Sequence, residues 1–396
     1  MNQRRLWRVT FALVEVLLLL SVPALAWVGF RAVLDTTEGR VIDPQLDPDE
    51  PGYEAQLVPT SVQLVAGLDA DGGLSWLTVL VLSGAGDQGG AVLFVPVRSL
   101  VDLEDLGDTT LRDAWATEDG PAVVAQAVSD ILGAGVGDAE VLDQSRIQEL
   151  FTPVLPMAIE NGDDIEGFHS GEIHLQGDGV GRYLDARDPE ESDLARLARH
   201  EVVWRAWFAA IAASSDPNVV PGETTAGLGR FVRGIAAGQQ TFDVIPGTPF
   251  VPPPPDDAEE TPTVEDSELF VPDLDATAEL VDQRIPLPVA SHPGARARVR
   301  VLDGVGADGL ALQAARDVVR AGGQVVIVGN TDAFGEATSR VVYFDDGQAD
   351  AAAAIAAALG DIAVDHQSGP NPNDLVDITV VVGTDLADAY GLSPRG

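Results

Sequence analysis

The chain has 396 residues, 45% of them hydrophobic, which is room for two or three domains with sizeable cores. It carries 63 acidic residues against 23 basic ones, every one of them Arg; the resulting net charge of −40 argues against nucleic acid and anionic membrane surfaces as general partners. With no Cys, disulfide frameworks, thiol catalysis, zinc ribbons and iron–sulfur sites are excluded as well.

Residues 1–33 read as a targeting segment. Arg4, Arg5 and Arg8 precede a largely apolar run over 9–30, closed by Arg31. At about 20 residues the run is long enough to cross a bilayer once as a helix. The arginines ahead of it place the N-terminus in the cytoplasm and everything after it outside. A cleaved signal peptide is the rival, because Ala24-Leu25-Ala26 fits a small-x-small cleavage site. The apolar stretch continues through Trp27, Val28 and Phe30, which favours an uncleaved anchor. The expectation is a single-pass cell-membrane protein with its bulk extracytoplasmic, the alternative being secretion after cleavage near Ala26.

Residues 34–59 are polar and rich in Asp and Pro, as expected of a tether. Apolar segments over 62–68 and 74–82 flank a Gly-containing turn and predict a hairpin, with a third buried strand over 91–97. A helix is expected over 120–132, with Val124, Ala127, Val128 and Ile131 on one face and Gly133 as its stop. A second helix is expected over 145–159, interrupted by Pro153 and Pro156, and a short strand over 173–175. A long helix over 194–213 can turn Val202, Val203, Trp207 and Ile211 to a core. Strands and helices mixed in this order predict an α/β (α+β) domain over 60–245. Residues 246–294 contain a run of prolines at 252–255 and many acids, and predict a disordered, extended linker. A compact α/β domain is expected over 295–391, with strands at 297–302, 324–328, 339–344 and 378–382 and helices at 307–321 and 349–359.

Chemistry is most strongly indicated over 183–203. Arg187 precedes Asp193, which reads as a helix N-cap, and Arg196 and Arg199 follow at helical spacing. Guanidiniums and carboxylates at a helix start suit a phosphate or a metal-bound phosphate. The alternative is a capped surface helix whose arginines pair with Glu190, Glu191 and Glu201. Gly304-Val305-Gly306-Ala307-Asp308-Gly309 is a literal G-x-G-x-x-G, with Asp332 near the distance expected of a ribose-binding acid. The domain around it is too short for a two-halved dinucleotide fold, so a Gly-rich strand-to-helix turn is expected there. The five histidines form no H-E-x-x-H, though His169 and His174 are close enough to share a site; there is no G-x-S-x-G elbow and no P-loop lysine.

These segments resemble the LytR–CpsA–Psr family of cell-envelope proteins, and the end of the chain resembles the LytR C-terminal domain. The C-terminal likeness rests on Val299-Arg300-Val301-Leu302-Asp303-Gly304-Val305-Gly306, on Gly309-Leu310-Ala311, on Gly323, Gly329 and Asn330, and on Asp377-Ile378-Thr379-Val380-Val381-Val382-Gly383-Thr384-Asp385. Residues 114–133 resemble the family's Gly-rich helix block, and 183–199 its Tyr-x-Arg-x-Arg…Asp-x-x-Arg-x-x-Arg segment. The resemblance implies a phosphotransferase that moves a glycopolymer from a polyprenyl pyrophosphate carrier to peptidoglycan, with Mg²⁺. It implies pyrophosphate binding by Arg98, Arg187, Arg196 and Arg199, a metal at Asp193, and no other cofactor. Three departures stand out: Asp185 occupies the place of a family arginine, Ser99 follows Arg98 without the family's Asp, and Thr60-Ser61-Val62 lacks the Asp of the metal segment. An Asp for an Arg beside an anion exchanges attraction for repulsion. The expectation is therefore a non-catalytic module that binds wall polymer, lipid-linked precursor or a protein partner, with the active phosphotransferase as the alternative.

Overall fold

The computed structural model describes residues 47–83, 88–104, 106–222, 226–252 and 268–393. The targeting segment expected over 1–33 lies outside these residues. Among the described ones no helix is long and apolar enough to cross a membrane. The chain divides into two mixed α/β units, one spanning 58–296 and the other joining 297–396 to the segment up to Leu57.

The first element, β1 (Glu54–Gln56), belongs to the unit that contains the C-terminus. Next come β2 (Val62–Leu68), β3 (Leu74–Leu82), β4 (Gly90–Val95), a small ribbon of β5 (Leu100–Leu103) and β6 (Gly107–Thr110), and helices α1 (Leu111–Trp115) and α2 (Gly120–Leu132). Strand β7 (Glu140–Leu142), helix α3 (Gln144–Phe151), the hairpin β8 (Met157–Asn161) and β9 (Gly171–Leu175), helix α4 (Gly179–Asp185) and the long α5 (Asp193–Ala213) follow. Helix α6 (Gly227–Ala236), β10 (Gln240–Val244), the ribbon β11 (Gly247–Phe250) and β12 (Leu269–Pro272), and helix α7 (Leu274–Arg284) complete this unit.

Its central sheet runs β10-β4-β3-β2-β7, antiparallel in the middle and parallel at both edges. Alternation along the strands sends side chains to two helical layers. Leu64, Leu77 and Val79 join Val124, Val128 and Ile131 of α2 on one side. Trp76, Leu80 and Phe94 join Trp204, Trp207 and Phe208 of α5 on the other. All nine residues of β3 are buried, as expected of a strand covered on both faces. Gly67 lies under the Trp76 indole, whose ring atoms would stand within 2.4 Å of an added Cβ, so this crossing accepts only Gly.

Several expectations change here. The segment expected as a linker over 246–294 supplies β11, β12 and α7, with Phe270, Val281 and Ile285 at 3%, 1% and 0% exposure in the α2-side core. Its average composition is polar, but these three apolar residues suffice to fasten it. The chain is also tied on by Thr60 N–H to the Leu287 carbonyl and Gly135 N–H to the Val289 carbonyl. The helix expected over 145–159 ends at Phe151; Thr152–Val154 forms a 3-10 turn, the Leu155–Pro156 bond is cis, and Met157 starts a strand. Prolines that cannot continue a helix end it here rather than interrupting it.

The other unit contains β13 (Arg298–Asp303), helix α8 (Leu310–Arg320), β14 (Gln324–Asn330), β15 (Arg340–Tyr343), helix α9 (Ala349–Ala358), β16 (Ala363–His366), β17 (Ile378–Val382) and the short α10 (Thr384–Ala389). The sheet order is β1-β14-β13-β17-β15-β16. Val299, Val301, Val341 and Val380 form one core with Leu310, Ala314 and Val318 of α8 and Ile355 of α9. The repeated strand–helix–strand rhythm is present, but β1 comes from the expected tether. It pairs antiparallel with β14, Glu54 opposite Gly329 and Gln56 opposite Ile327. Three residues are too few for hydrophobic alternation to reveal a strand.

Candidate functional site

The 58–296 unit brings Arg98, just past β4, Arg187, just past α4, and Arg196 of α5 to the rim of one small cavity. Ser192, not Asp193, caps α5: its Oγ accepts the Ala195 N–H at 3.1 Å. Asp193 is the first helical residue and turns its carboxylate inward. Its Oδ1 lies 3.3 Å from Arg196 Nη2, and its Oδ2 accepts the Arg98 N–H at 3.4 Å. Glu268 approaches from the start of β12. Its carbonyl accepts Arg98 Nε–H at 2.5 Å, and its Oε2 accepts the Asp193 N–H at 2.8 Å.

Arg196 is the most enclosed of the three, its side chain 4% exposed. Its Nη2 donates to the Ser75 carbonyl at 2.5 Å, while Nε and Nη1 have no hydrogen-bond partner among the described residues. Burial lowers its pKa to about 10; Arg187 and Arg199 add to that fall and Asp193 opposes it. It therefore remains a cation at neutral pH. Asp185 accepts a hydrogen bond from Ser75 Oγ at 3.1 Å.

The cavity encloses about 10 Å³, room for roughly one water. Three arginines line it with Ser192 and four carboxylates, those of Asp188, Glu191, Asp193 and Glu268, so the site is already charge-compensated by its own chain. No apolar side chain lines it. Nor do its carboxylates suit Mg²⁺: both Asp193 oxygens face Arg196 or a backbone N–H, and no group of three or more His, Asp or Glu among the described residues is arranged to hold a metal.

Arg199, the fourth arginine singled out in the sequence, does another job. It donates to the Tyr183 and Ala186 carbonyls at 2.5 and 2.6 Å and to both Glu191 oxygens at 3.1 and 2.8 Å. It fastens the end of α4 to α5 and lies 5.2 Å from the Tyr183 ring centroid. Burial raises the Tyr183 hydroxyl to about 12, and that hydroxyl donates to Asn161 Oδ1 at 2.8 Å. A cavity of about 700 Å³ shares Asp188, Glu191 and Ser192 with the arginine site, and Glu160, Asp163, Asp164 and Glu190 outnumber Arg199 along a wall that also includes Ile165 and Val202. Such a wall repels phosphate.

His200, next to Arg199, is wholly buried; its Nε2 contacts the Leu184 carbonyl at 2.8 Å and its Nδ1 has no partner among the described residues. Burial first, then the positive charges of Arg196 and Arg199, holds its pKa well below the ordinary 6.5. The unfolded chain therefore takes up a proton near pH 6.5 that the folded chain refuses. Its contribution to stability is complete above that pH and is lost as pH falls below it, by up to about 1.4 kcal/mol per unit. Chemical denaturation at pH 7.5, 6 and 5 should show this loss, and His200→Gln should flatten it; parallel curves would refute the assignment. His174 pairs at 3.6 Å with Glu172, and both are exposed.

In the C-terminal unit, the G-x-G-x-x-G loop joins β13 to α8. Asp303 is 4% exposed; its Oδ1 accepts the N–H groups of Val305 and Gly306 at 2.7 and 2.8 Å, and its Oδ2 that of Ala307 at 2.8 Å. The amides that would cradle a pyrophosphate are taken by the chain's own carboxylate, which fits the expectation of a turn.

Residues 296–386 match the family model described as LytR cell envelope-related transcriptional attenuator. The C-terminal resemblance read from the sequence is thereby borne out. The matched stretch does not include β1. No curated protein matches the chain. Similar solved structures include the Lin1025 protein of Listeria innocua, at 16% identity and TM-score 0.41 over 58% of this chain and 100% of that one. Bacillus subtilis TagV shows 16% identity and TM-score 0.45 over 58% and 98%. The LytR-CPS2A-psr family protein YwtF (TagT), also of B. subtilis, with bound octaprenyl pyrophosphate lipid, shows 13% identity and TM-score 0.44 over 62% and 94%.

The structure gathers Arg98, Arg187, Arg196 and Asp193 and turns Arg199 to a structural task. Two participants were not foreseen: Ser75, through its carbonyl, and Glu268, through both its carbonyl and its carboxylate. Glu268 lies 75 residues from Asp193 in a segment expected as linker, and no local pattern marks it.

Proposed function

We propose that this is an extracytoplasmic cell-envelope protein acting in wall assembly by binding rather than by phosphoryl transfer. In this reading residues 9–30 anchor it in the cytoplasmic membrane, and its two units engage wall polymer, a lipid-linked precursor or a protein partner. The LytR C-terminal match supports the envelope setting. The small, self-compensated arginine cavity supports the non-catalytic part: it has room for about one water, and four carboxylates surround its three arginines. Phosphoryl transfer needs cations in excess around the transferring group, with a metal or further arginines facing it. The convergence of Arg98, Arg187 and Arg196 keeps the phosphotransferase, with Mg²⁺, as the second reading.

Ligation of a lipid-linked polymer to peptidoglycan in vitro with Mg²⁺ separates the two. The expected result is no turnover by the native protein or by Arg187→Ala, with retention of the native protein on purified cell wall. Turnover by the native protein that Arg187→Ala abolishes would overturn the binding reading.

A further inference from the structure

We infer that Glu268 is an internal competitor for the arginine site, a specificity-determining residue that decides whether the site accepts an external phosphate. The inference rests on the proposed reading of the arginine cavity as non-catalytic. The carboxylate of Glu268 is 2.8 Å from the first N–H of α5, a 21-residue helix, which is the position an oxyanion takes at a helix start. Independently of the helix end, Arg196 lines the same cavity with its side chain 4% exposed and with Nε and Nη1 lacking hydrogen-bond partners among the described residues. A buried guanidinium with two idle nitrogens is a site built for more acceptors than its own chain supplies.

The backbone around Glu268 is pinned. Phe270 is 3% exposed in the core, and its N–H donates to the Arg98 carbonyl at 3.0 Å. The Glu268 carbonyl takes Arg98 Nε–H. Only the side chain can yield, by rotating away from the Asp193 amide, so competition is between one carboxylate and one incoming anion at a fixed place. A phosphate or pyrophosphate offers more acceptor oxygens to Arg98, Arg196 and the α5 amides than the carboxylate does, but must first displace it and then tolerate its charge. Every residue lining the cavity is polar or charged, so an isoprenoid tail would find nothing there to bind.

The test is calorimetric titration of the full chain in detergent with two probes, inorganic pyrophosphate and farnesyl pyrophosphate. Glu268→Gln keeps an acceptor for the Asp193 amide and removes the charge. It is expected to bind both probes roughly ten-fold or more tightly than the native protein. Adding Arg196→Met is expected to cancel that gain, with circular dichroism verifying the fold of each variant. Unchanged affinity in folded Glu268→Gln, or a gain that survives Arg196→Met, would overturn the proposal. So would a gain confined to farnesyl pyrophosphate, because it would place recognition on the lipid. A gain in binding without ligase activity leaves the non-catalytic reading intact, whereas ligase activity in the native protein would sink that reading separately.

Discussion

Arg199→Met is expected to destabilise the 58–296 unit by about 3–5 kcal/mol, the usual cost of removing one partner of a buried ion pair. The Arg199 and Glu191 side chains are 7% and 13% exposed, so solvent replaces the lost cation only in part. The substitution strands the Glu191 carboxylate, and it also deprives the Tyr183 and Ala186 carbonyls of their donor. Loosening α4 from α5 should disturb the core beneath, where Tyr183 is fully buried. Urea denaturation followed by tryptophan fluorescence suits the measurement, since Trp76, Trp115, Trp204 and Trp207 all lie in this unit. Glu191→Met added to Arg199→Met should restore part of the loss, because the unpaired charge disappears with it. A single substitution costing under about 1 kcal/mol would place the pair among weak surface bridges.

Gly329→Ala is expected to push β1 off the edge of the C-terminal sheet, at a cost of about 1–3 kcal/mol. An added Cβ would stand 2.2 Å from the Tyr53 carbonyl oxygen and 2.9 Å from Glu54 Cα, and backbone cannot swing aside as a side chain can. What is at stake is a run of bonds: Gly52 N–H to the Thr331 carbonyl, Asn330 N–H to the Tyr53 carbonyl, Leu57 N–H to the Val326 carbonyl, and the 2.9 Å Arg300–Glu54 pair. Hydrogen exchange of residues 52–57 should accelerate strongly in the variant while α8 and β13 keep their protection. Unchanged protection of 52–57 would show that β14 tolerates the methyl.

Much of the framework was legible in the sequence because periodicity survives wherever an element is long and one-sided. β2, β3, α2 and the strands β13, β14, β15 and β17 fall close to their expected places for that reason, whereas β16 was not foreseen. Helix α5 was found, but the burial of its charged residues was not. Arg196, Arg199 and His200 are buried beside Leu197 and Val203, whereas charged residues at helical spacing ordinarily signal an exposed face. The cap moved by one residue because Ser192 and Asp193 are both good caps, and only the geometry shows which oxygen meets the Ala195 amide. The segment over 246–294 was misread because composition averages over a stretch, while burial is decided residue by residue at Phe270, Val281 and Ile285. Glu268 was invisible for the same reason. The two loops that looked most like phosphate sites prove alike in one respect: each has backbone amides met by a carboxylate from the same chain, Asp303 in one and Glu268 in the other.

The membership of β1 in the C-terminal sheet also fixes an order of events in folding. The 58–296 unit holds all its own strands and can complete its core as soon as it has emerged. The other unit cannot, because its edge strand is made first and the β14 it pairs with comes only after the whole intervening unit. Closing so long a loop costs little more than closing a short one, since each doubling adds about 0.6 kcal/mol. The delay therefore lies in waiting for synthesis, and residues 54–56 remain an unpaired strand edge until β14 arrives. A chain truncated after residue 296 would leave that edge open permanently.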